Sequence, residues 1–265
     1  TDAFLPCGGR PAAVNSNNWR HFLDEAGKAS VSVVVEGANL FFTEEAREAL
    51  TREAQVLFVK DSSANKCGVI CSSFEIAASL LIDEAAFLKI KDTFVNEVLE
   101  RLRSLARKEA AILFSQYQRR PEVPLSKVSI KLSNAINRTK DAIIERLSSL
   151  SPEDATLAHA LVARHLPQSL RQAAGQAAID ALPQSYAHRV IASVLASEIV
   201  YREGIDSLSE VSPGRLGDLA VSYLRHIEDT RCLVKALQAV ELPERERIIT
   251  LLKHGSAIAG MNYDG

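Results

Sequence analysis

The chain has 265 residues, 47% of them hydrophobic, with 31 Lys and Arg against 33 Asp and Glu for a formal net charge of -2. That length and apolar content suit a folded protein with a sizeable core, in one large domain or two ordinary ones, and exclude disorder. The near-neutral balance excludes a global field of the kind that draws nucleic acid or an anionic membrane, so ligands are to be sought at local sites.

The first part of the chain reads as α/β. Asp2 to Pro6, Ser32 to Val35 and Val56 to Lys60 are short apolar runs rich in Val, Leu and Phe, with the composition of strands buried on both faces. Each ends in a polar or glycine-rich segment: Pro6-Cys7-Gly8-Gly9-Arg10, Glu36-Gly37-Ala38-Asn39 and Asp61-Ser62-Ser63-Ala64-Asn65-Lys66. A helix is expected after each. The repeated unit of strand, loop and helix predicts a parallel sheet, with the three loops together beyond the carboxyl ends of the strands, where open α/β sheets bind ligands. Three strands make a thin sheet with an exposed edge, and Thr1 to Cys7 already reads as a strand, so further strands are expected upstream of Thr1.

The longest apolar stretch, Val69 to Ile82, is interrupted by Ser72, Ser73, Glu75 and Ser79, and falls short of the roughly 20 apolar residues of a bilayer span. No membrane association is expected. Cys7, Cys67, Cys71 and Cys232 include no Cys-x-x-Cys spacing in a chain too long to need disulfide staples, which points to free thiols in a reducing, intracellular compartment, cytoplasmic or mitochondrial matrix.

The pattern changes near Asp83, which divides the sequence into residues 1–82 and 83–265, and from there no strand signal remains. Between Asp83 and Arg119, Phe87, Ile90, Phe94, Val98, Leu102, Leu105, Leu113 and Tyr117 fall at helical spacings and predict one long amphipathic helix. Its charges are of both signs and read as a solvated face. Pro121 and Pro124 end it, a second helix is expected from about Leu125 to Leu150, and Ser151-Pro152-Glu153-Asp154 supplies a cap, a first-turn proline and two acids for a third. Pro167, Pro183, Pro213 and Pro243 punctuate further apolar periodic runs at uneven intervals, which favours a compact helical bundle over a solenoid.

Chemistry is to be sought first in the loops. Gly8, Gly9, Gly37 and Gly68 permit close backbone approach, and Asn39 and Asn65 each carry an amide that both donates and accepts, which suits a carboxamide or ribose hydroxyls. These are also the ordinary residues of turns. After Gly68 a helix is expected to begin, with Ser72 near its amino end, where an anionic group is favoured. His21, His159, His165, His188, His226 and His254 show no His-Glu-x-x-His pattern, and Cys67 and Cys71 lack a second ligand pair, so no metal site is expected. The absence of a Gly-x-Ser-x-Gly elbow disfavours a serine hydrolase.

The wording of these loops resembles the end of the cofactor domain of glutamate dehydrogenases, particularly the large NAD-dependent type. The resemblance rests on Phe4-Leu5-Pro6-Cys7-Gly8-Gly9-Arg10-Pro11, Val14-Asn15-Ser16-Asn17-Asn18, Val35-Glu36-Gly37-Ala38-Asn39-Leu40-Phe41-Phe42-Thr43 and the stretch from Lys60 through Asn65 to Glu75. A weaker likeness to the helical C-terminal region of the same enzymes continues through Ala110 to Gln118, Leu182 to Tyr186 and Val200 to Asp206.

The resemblance implies a fold in two parts: the C-terminal part of a Rossmann-like parallel sheet, then a larger all-α domain. It also implies an NAD-dependent oxidoreductase of amino-acid catabolism that converts L-glutamate to 2-oxoglutarate and ammonia, and a homo-oligomer is expected. Under it, Cys7 and Gly8 lie along the dinucleotide, Asn39 and Asn65 near the nicotinamide and its ribose, Val69 against the substrate and Ser72 at the substrate side-chain carboxylate.

The sequence departs from the family wording at Cys67, where a glycine is usual, and at Ile70 and Cys71, where smaller or hydroxylated residues are usual. A Cys67 side chain is expected to narrow the cofactor crevice and retune the fit. No Gly-x-Gly-x-x-Gly turn is present, nor the family's catalytic lysine and aspartate motifs, so no catalytic residue is assigned in this chain and the chain by itself is expected to be inactive. The competing expectation is that residues 83–265 act as a helical interaction or oligomerisation module without catalysis of their own.

Overall fold

A computed structural model describes residues 2–255. Three short strands, β1 (Ala3–Phe4), β2 (Val33–Val35) and β3 (Leu57–Val59), form a parallel sheet in that order, with Ala3 opposite Val33 and Val34 opposite Phe58. The rest of the described chain is helical or irregular: α1 (Glu44–Ala54), α2 (Asp61–Ala64), α3 (Cys67–Leu81), α4 (Glu84–Arg119), α5 (Leu125–Leu147), α6 (Pro152–His165), α7 (Gln168–Ala174), α8 (Gln176–Asp180), α9 (Gln184–Glu203), α10 (Ile205–Leu208), α11 (Pro213–Gln238) and α12 (Arg245–His254). The parallel sheet, the absence of strands beyond residue 83 among the described residues, and the long helix ending at Arg119 agree with the sequence pattern.

The chain divides into two compact units, one of Thr1–Glu75 with Val98–Ser133 and one of Ile76–Glu97 with Asn134–Gly265, so that α3, α4 and α5 each contribute to both. In the first unit, Val34 and Phe58 are fully buried while Val33, Val35, Leu57 and Val59 are only half-buried. One face of the sheet is therefore covered more completely than the other, where the apolar runs predicted burial of both. The covered face meets α1 through Ala46, Ala49 and Leu50, and its centre is an aromatic cluster in which Phe42 touches Phe58 edge-on at 5.0 Å and Phe22 at 5.5 Å.

The loop after β1 is not followed by an α-helix, as the alternation predicts, but by a single 3-10 turn, Trp19–Phe22. The cause is local. The Asn15 amide N–H bonds the Asn18 side chain at 2.8 Å and the Asn18 amide returns to the Ala13 carbonyl at 2.8 Å, so asparagine side chains take up backbone groups that a helix would have paired. By contrast α1 starts where expected, because the Thr43 hydroxyl accepts from the Ala46 N–H at 3.3 Å and Glu44 and Glu45 occupy the first turn.

The second unit is built on apolar helix faces. Ile191, Leu195 and Ile199 and, one residue on, Ala192, Ala196 and Val200 are buried along α9, which packs against α6, α10 and α11. Prolines mark helix starts: Pro152 and Pro213 lie in the first turns of α6 and α11, and Pro167 and Pro183 are the caps of α7 and α9. The Ser151 hydroxyl accepts from the Asp154 N–H at 3.1 Å, as its cap sequence predicts. Ion pairs join helices at the periphery. Asp154 accepts two hydrogen bonds from Arg225 at 2.8 and 2.9 Å, and Glu228 is held by Arg231 and by Arg164.

Two predictions follow from this packing. Gly9 has φ near +120, and a Cβ there would stand 2.8 Å from the Phe41 ring, which is packed against Phe4 and Phe42. Gly9→Ala therefore destabilises the first unit by about 1–3 kcal/mol, read as a lowered urea midpoint by fluorescence of its single tryptophan, Trp19.

The second concerns acid. Arg225 holds the Asp154 carboxyl below the usual carboxylate range, and Arg231 with Arg164 pulls Glu228 down to about 2. Depressed carboxyl values in the folded state mean stability that is complete above the unfolded value and lost as the pH falls through the folded one. The urea midpoint of the helical unit, followed by far-UV circular dichroism, should drop between pH 4.5 and about 2, and Arg231→Met should flatten that drop.

Candidate functional site

The three loops beyond the carboxyl ends of the strands are tied to one another by backbone bonds. The Ala38 N–H donates to the Pro6 carbonyl at 2.7 Å, joining the second loop to the first, and the Glu36 N–H donates to the Val59 carbonyl at 3.0 Å, joining it to the end of β3 from which the third departs. Farther out, the Ala12 N–H reaches the Leu40 carbonyl at 2.8 Å, and Val14 pairs in parallel with Phe42. Ala12 and Leu40 both adopt left-handed backbone, φ 55 and 54, a conformation that costs a non-glycine residue about 1–2 kcal/mol and persists only where neighbours impose it.

Within this frame the predicted residues converge in part. Gly37 lies against the first loop so closely that a Cβ would stand 3.0 Å from the Pro6 carbonyl and 3.1 Å from the Cys7 sulfur. The Asn65 amide donates to the Asn39 side-chain oxygen at 2.5 Å and, at 3.4 Å, to the Gly37 carbonyl. The exposed Cys7, Gly37 and Asn39 and the half-buried Asn65 thus form one contiguous edge, and Gly8 beside them has open space where a side chain would project. The pairing spends one amide hydrogen of Asn65 on Asn39. It leaves the Asn39 amide as a donor and the Asn65 side-chain oxygen as an acceptor, the two kinds of group that a primary carboxamide pairs with.

Val69 and Ser72 lie on the first two turns of α3, which begins at Cys67, one residue ahead of Gly68. Val69 is 79% exposed. The Ser72 hydroxyl donates to the Gly68 carbonyl at 3.1 Å, so it presents lone pairs and must rotate before it can donate to a carboxylate. Cys67 and Cys71 are half-buried on the same helix, and burial, with Glu75 close by, pushes the Cys71 thiol up. All four cysteines are free thiols. Among the described residues no group of three or more His, Cys, Asp or Glu is placed to hold a metal ion, and no helix is long and apolar enough to cross a membrane.

Beneath the edge lies a network that the loop wording does not announce. Glu36, fully buried at the end of β2, accepts from Arg47 of α1 through Nε at 3.2 Å and Nη2 at 3.1 Å, and from the Asp61 N–H at 3.1 Å. Arg47 also donates to the Phe42 carbonyl at 3.1 Å. Asp61, 4% exposed, accepts from the Leu40 N–H at 2.9 Å and the Ser62 N–H at 2.7 Å, and pairs with Lys60. Burial raises the Glu36 carboxyl despite Arg47, whereas at Asp61 the Lys60, Leu40 and Ser62 donors outweigh burial and hold the carboxyl below its usual range. The sequence signal was Arg47 itself, a cation between Ala46 and Ala49 on the apolar face of α1.

Comparisons with known proteins bear on this geometry. Residues 1–120 match the family model described as Glutamate/Leucine/Phenylalanine/Valine dehydrogenase. The chain is 34% identical over 219 residues to an NAD-specific glutamate dehydrogenase of Saccharomyces cerevisiae, 77% of this chain and 20% of the yeast protein. It is 35% identical over 218 residues to glutamate dehydrogenase 2 of Dictyostelium discoideum, and 32% over 220 residues to a probable NAD-specific glutamate dehydrogenase of Schizosaccharomyces pombe, covering 78% of this chain and 20% and 19% of those proteins. The chain therefore spans about a fifth of the length of the curated relatives it matches. No solved structure matches it. With this likeness carried over most of its length, the chain belongs to the Glutamate/Leucine/Phenylalanine/Valine dehydrogenase family, as a segment akin to the large NAD-specific glutamate dehydrogenases.

Proposed function

We propose that residues 1–82 are the C-terminal part of a Rossmann-like, NAD-binding domain and residues 83–265 the helical domain that follows it, in a protein that oxidatively deaminates L-glutamate to 2-oxoglutarate and ammonia. The observation that carries this reading is the Asn39–Asn65 pair beside Gly37 at the carboxyl edge of a parallel sheet, where α/β folds bind dinucleotides. Names of the relatives support NAD as the cofactor and glutamate as the substrate. Four free thiols support a reducing, intracellular setting.

The residues fit the nicotinamide end of NAD. The Asn39 amide and the Asn65 oxygen offer a donor and an acceptor to the carboxamide and the adjoining ribose, while Gly8 leaves room for close backbone approach and Cys7 lines the same edge. NAD, when bound, supplies the ring carbon that takes the hydride from the substrate α-carbon. This chain's share is positioning: Asn39 and Asn65 orient the ring, the exposed Val69 offers an apolar contact, and Ser72, once rotated off Gly68, donates to a substrate carboxylate. The lysine and aspartate that handle protons in this family have no matching motif here, so the 265-residue chain alone should not turn over glutamate.

A second reading is supported by Leu88 and Val95, exposed seven residues apart along α4, an apolar face suited to docking another copy in a homo-oligomer.

In the full-length protein, Asn65→Ala and Asn39→Ala should each raise the KM for NAD by about tenfold, the worth of one good hydrogen bond, and Ser72→Ala should raise the KM for glutamate while sparing that for NAD. Steady-state kinetics with each substrate varied in turn reads both. Unchanged KM values for NAD in both asparagine variants would sink the site assignment.

A further inference from the structure

Asn39 and Asn65 belong to different loops, 26 residues apart, and their contact depends on how those loops are held. The Asn39 loop is not held by packing alone, since Leu40 is 60% exposed and Asn39 is exposed as well, while the half-buried Asn65 caps the short helix α2 that Asp61 opens. Charge ties the one segment to the other. The Asp61 carboxylate takes the Leu40 N–H, which fixes the left-handed turn immediately after Asn39. The Asp61 N–H in turn binds the buried Glu36 carboxylate, which anchors the start of the segment that carries Asn65 to the end of β2. Arg47 closes the set, donating to Glu36 and to the Phe42 carbonyl at the far end of the Asn39 loop. Both ends of one loop and the beginning of the other are thus tied to three side chains, none of which reaches the exposed edge.

We infer that Glu36, Arg47 and Asp61 are positioning residues for the nicotinamide end of the cofactor site, acting through the Asn39–Asn65 pair rather than by touching the cofactor. The inference rests on the reading of that pair given above. It deepens that reading by assigning affinity for NAD to a buried ionic network in which Arg47 holds the Glu36 carboxylate, Glu36 holds the Asp61 N–H, and the Asp61 carboxylate holds the Leu40 N–H. A loosening of this network would let the two loops separate and would dissolve the adjacent donor and acceptor before any ligand arrives, so its effect should appear in binding of the dinucleotide rather than only in stability.

The test is a double-mutant cycle in the full-length protein, reading the KM for NAD, kcat, the dissociation constant of NADH by fluorescence titration, and the thermal midpoint. Glu36→Gln should raise the KM for NAD and the NADH dissociation constant by about tenfold or more, as displacement of a positioning group does. In an Asn65→Ala background the same substitution should change the KM by less than about twofold, because its route of action is already gone. Should Glu36→Gln fail to fold, Asp61→Asn and Arg47→Lys, which keep size and a hydrogen-bonding group, carry the same cycle with smaller shifts of the same sign.

Effects of Glu36→Gln and Asn65→Ala that multiply, or a lowered thermal midpoint with both NAD constants unchanged, overturn the inference and leave the network as scaffold only. If Asn39→Ala and Asn65→Ala are themselves silent, the site reading falls and the inference with it. Asparagine variants that weaken binding beside silent network variants overturn the inference alone.

Discussion

The buried pair of Glu36 and Arg47 is the interaction on which the α/β unit depends. Placing two charges where the side chains are 0% and 6% exposed carries a desolvation cost of several kcal/mol per ion, which Coulomb attraction offsets only when the remaining lone pairs and protons are also bonded. Here they are: both oxygens of Glu36 are taken, and Arg47 has a carbonyl as its further acceptor. Removing one partner would strand the other, a loss of about 3–5 kcal/mol in comparable buried pairs. An apolar replacement of both could satisfy the core, yet it could not supply a bond to the Asp61 N–H or to the Phe42 carbonyl. The pair is better understood as specifying where the loops go than as adding stability.

That distinction matters because the cofactor edge consists of backbone and small side chains. Gly37 leaves no room for a Cβ, which would stand 3.0 Å from the Pro6 carbonyl, Leu40 and Ala12 adopt unfavourable backbone, and Asn39 is exposed and Asn65 half-buried. None of these features is self-supporting. A parallel sheet gives the loops a common edge, but two- and three-residue strands cannot dictate the conformation of loops longer than themselves. Directional bonds from buried charges can, and they hold the geometry in place before a ligand binds, so less ordering is left to oppose binding.

How much of this could be read from the amino acids depended on the range over which the information acts. The strands were legible because Val33 to Val35 and Leu57 to Val59 are uninterrupted apolar runs. The α6 start was legible because its cap, proline and acids are contiguous. The loops bearing Cys7, Asn39 and Asn65 were legible through wording that resembles a family, and not through any property of single residues. The Glu36, Arg47 and Asp61 network was not legible: its members are 11 and 25 residues apart, and a glutamate, an arginine and an aspartate bounding loops and helices look like solvated charges until the fold brings them together. The 3-10 turn at Trp19 was not legible for a related reason: the alternation of strand, loop and helix takes no account of the Asn15 backbone and Asn18 side chain pairing with each other and with the Ala13 carbonyl.

The helical unit shows the opposite economy. Its core is specified by periodicity, with buried residues at every fourth position of α9, and its charged pairs reach the margin on the arginine side, where Arg225 and Arg231 remain 60% and 51% exposed while Asp154 is buried. Non-directional burial tolerates exchange of one aliphatic residue for another of like volume, so such a unit can change its wording while keeping its helices. A site held by directional bonds between particular atoms cannot. That difference in physical tolerance separates the two parts, although both fold by rules visible in the same sequence.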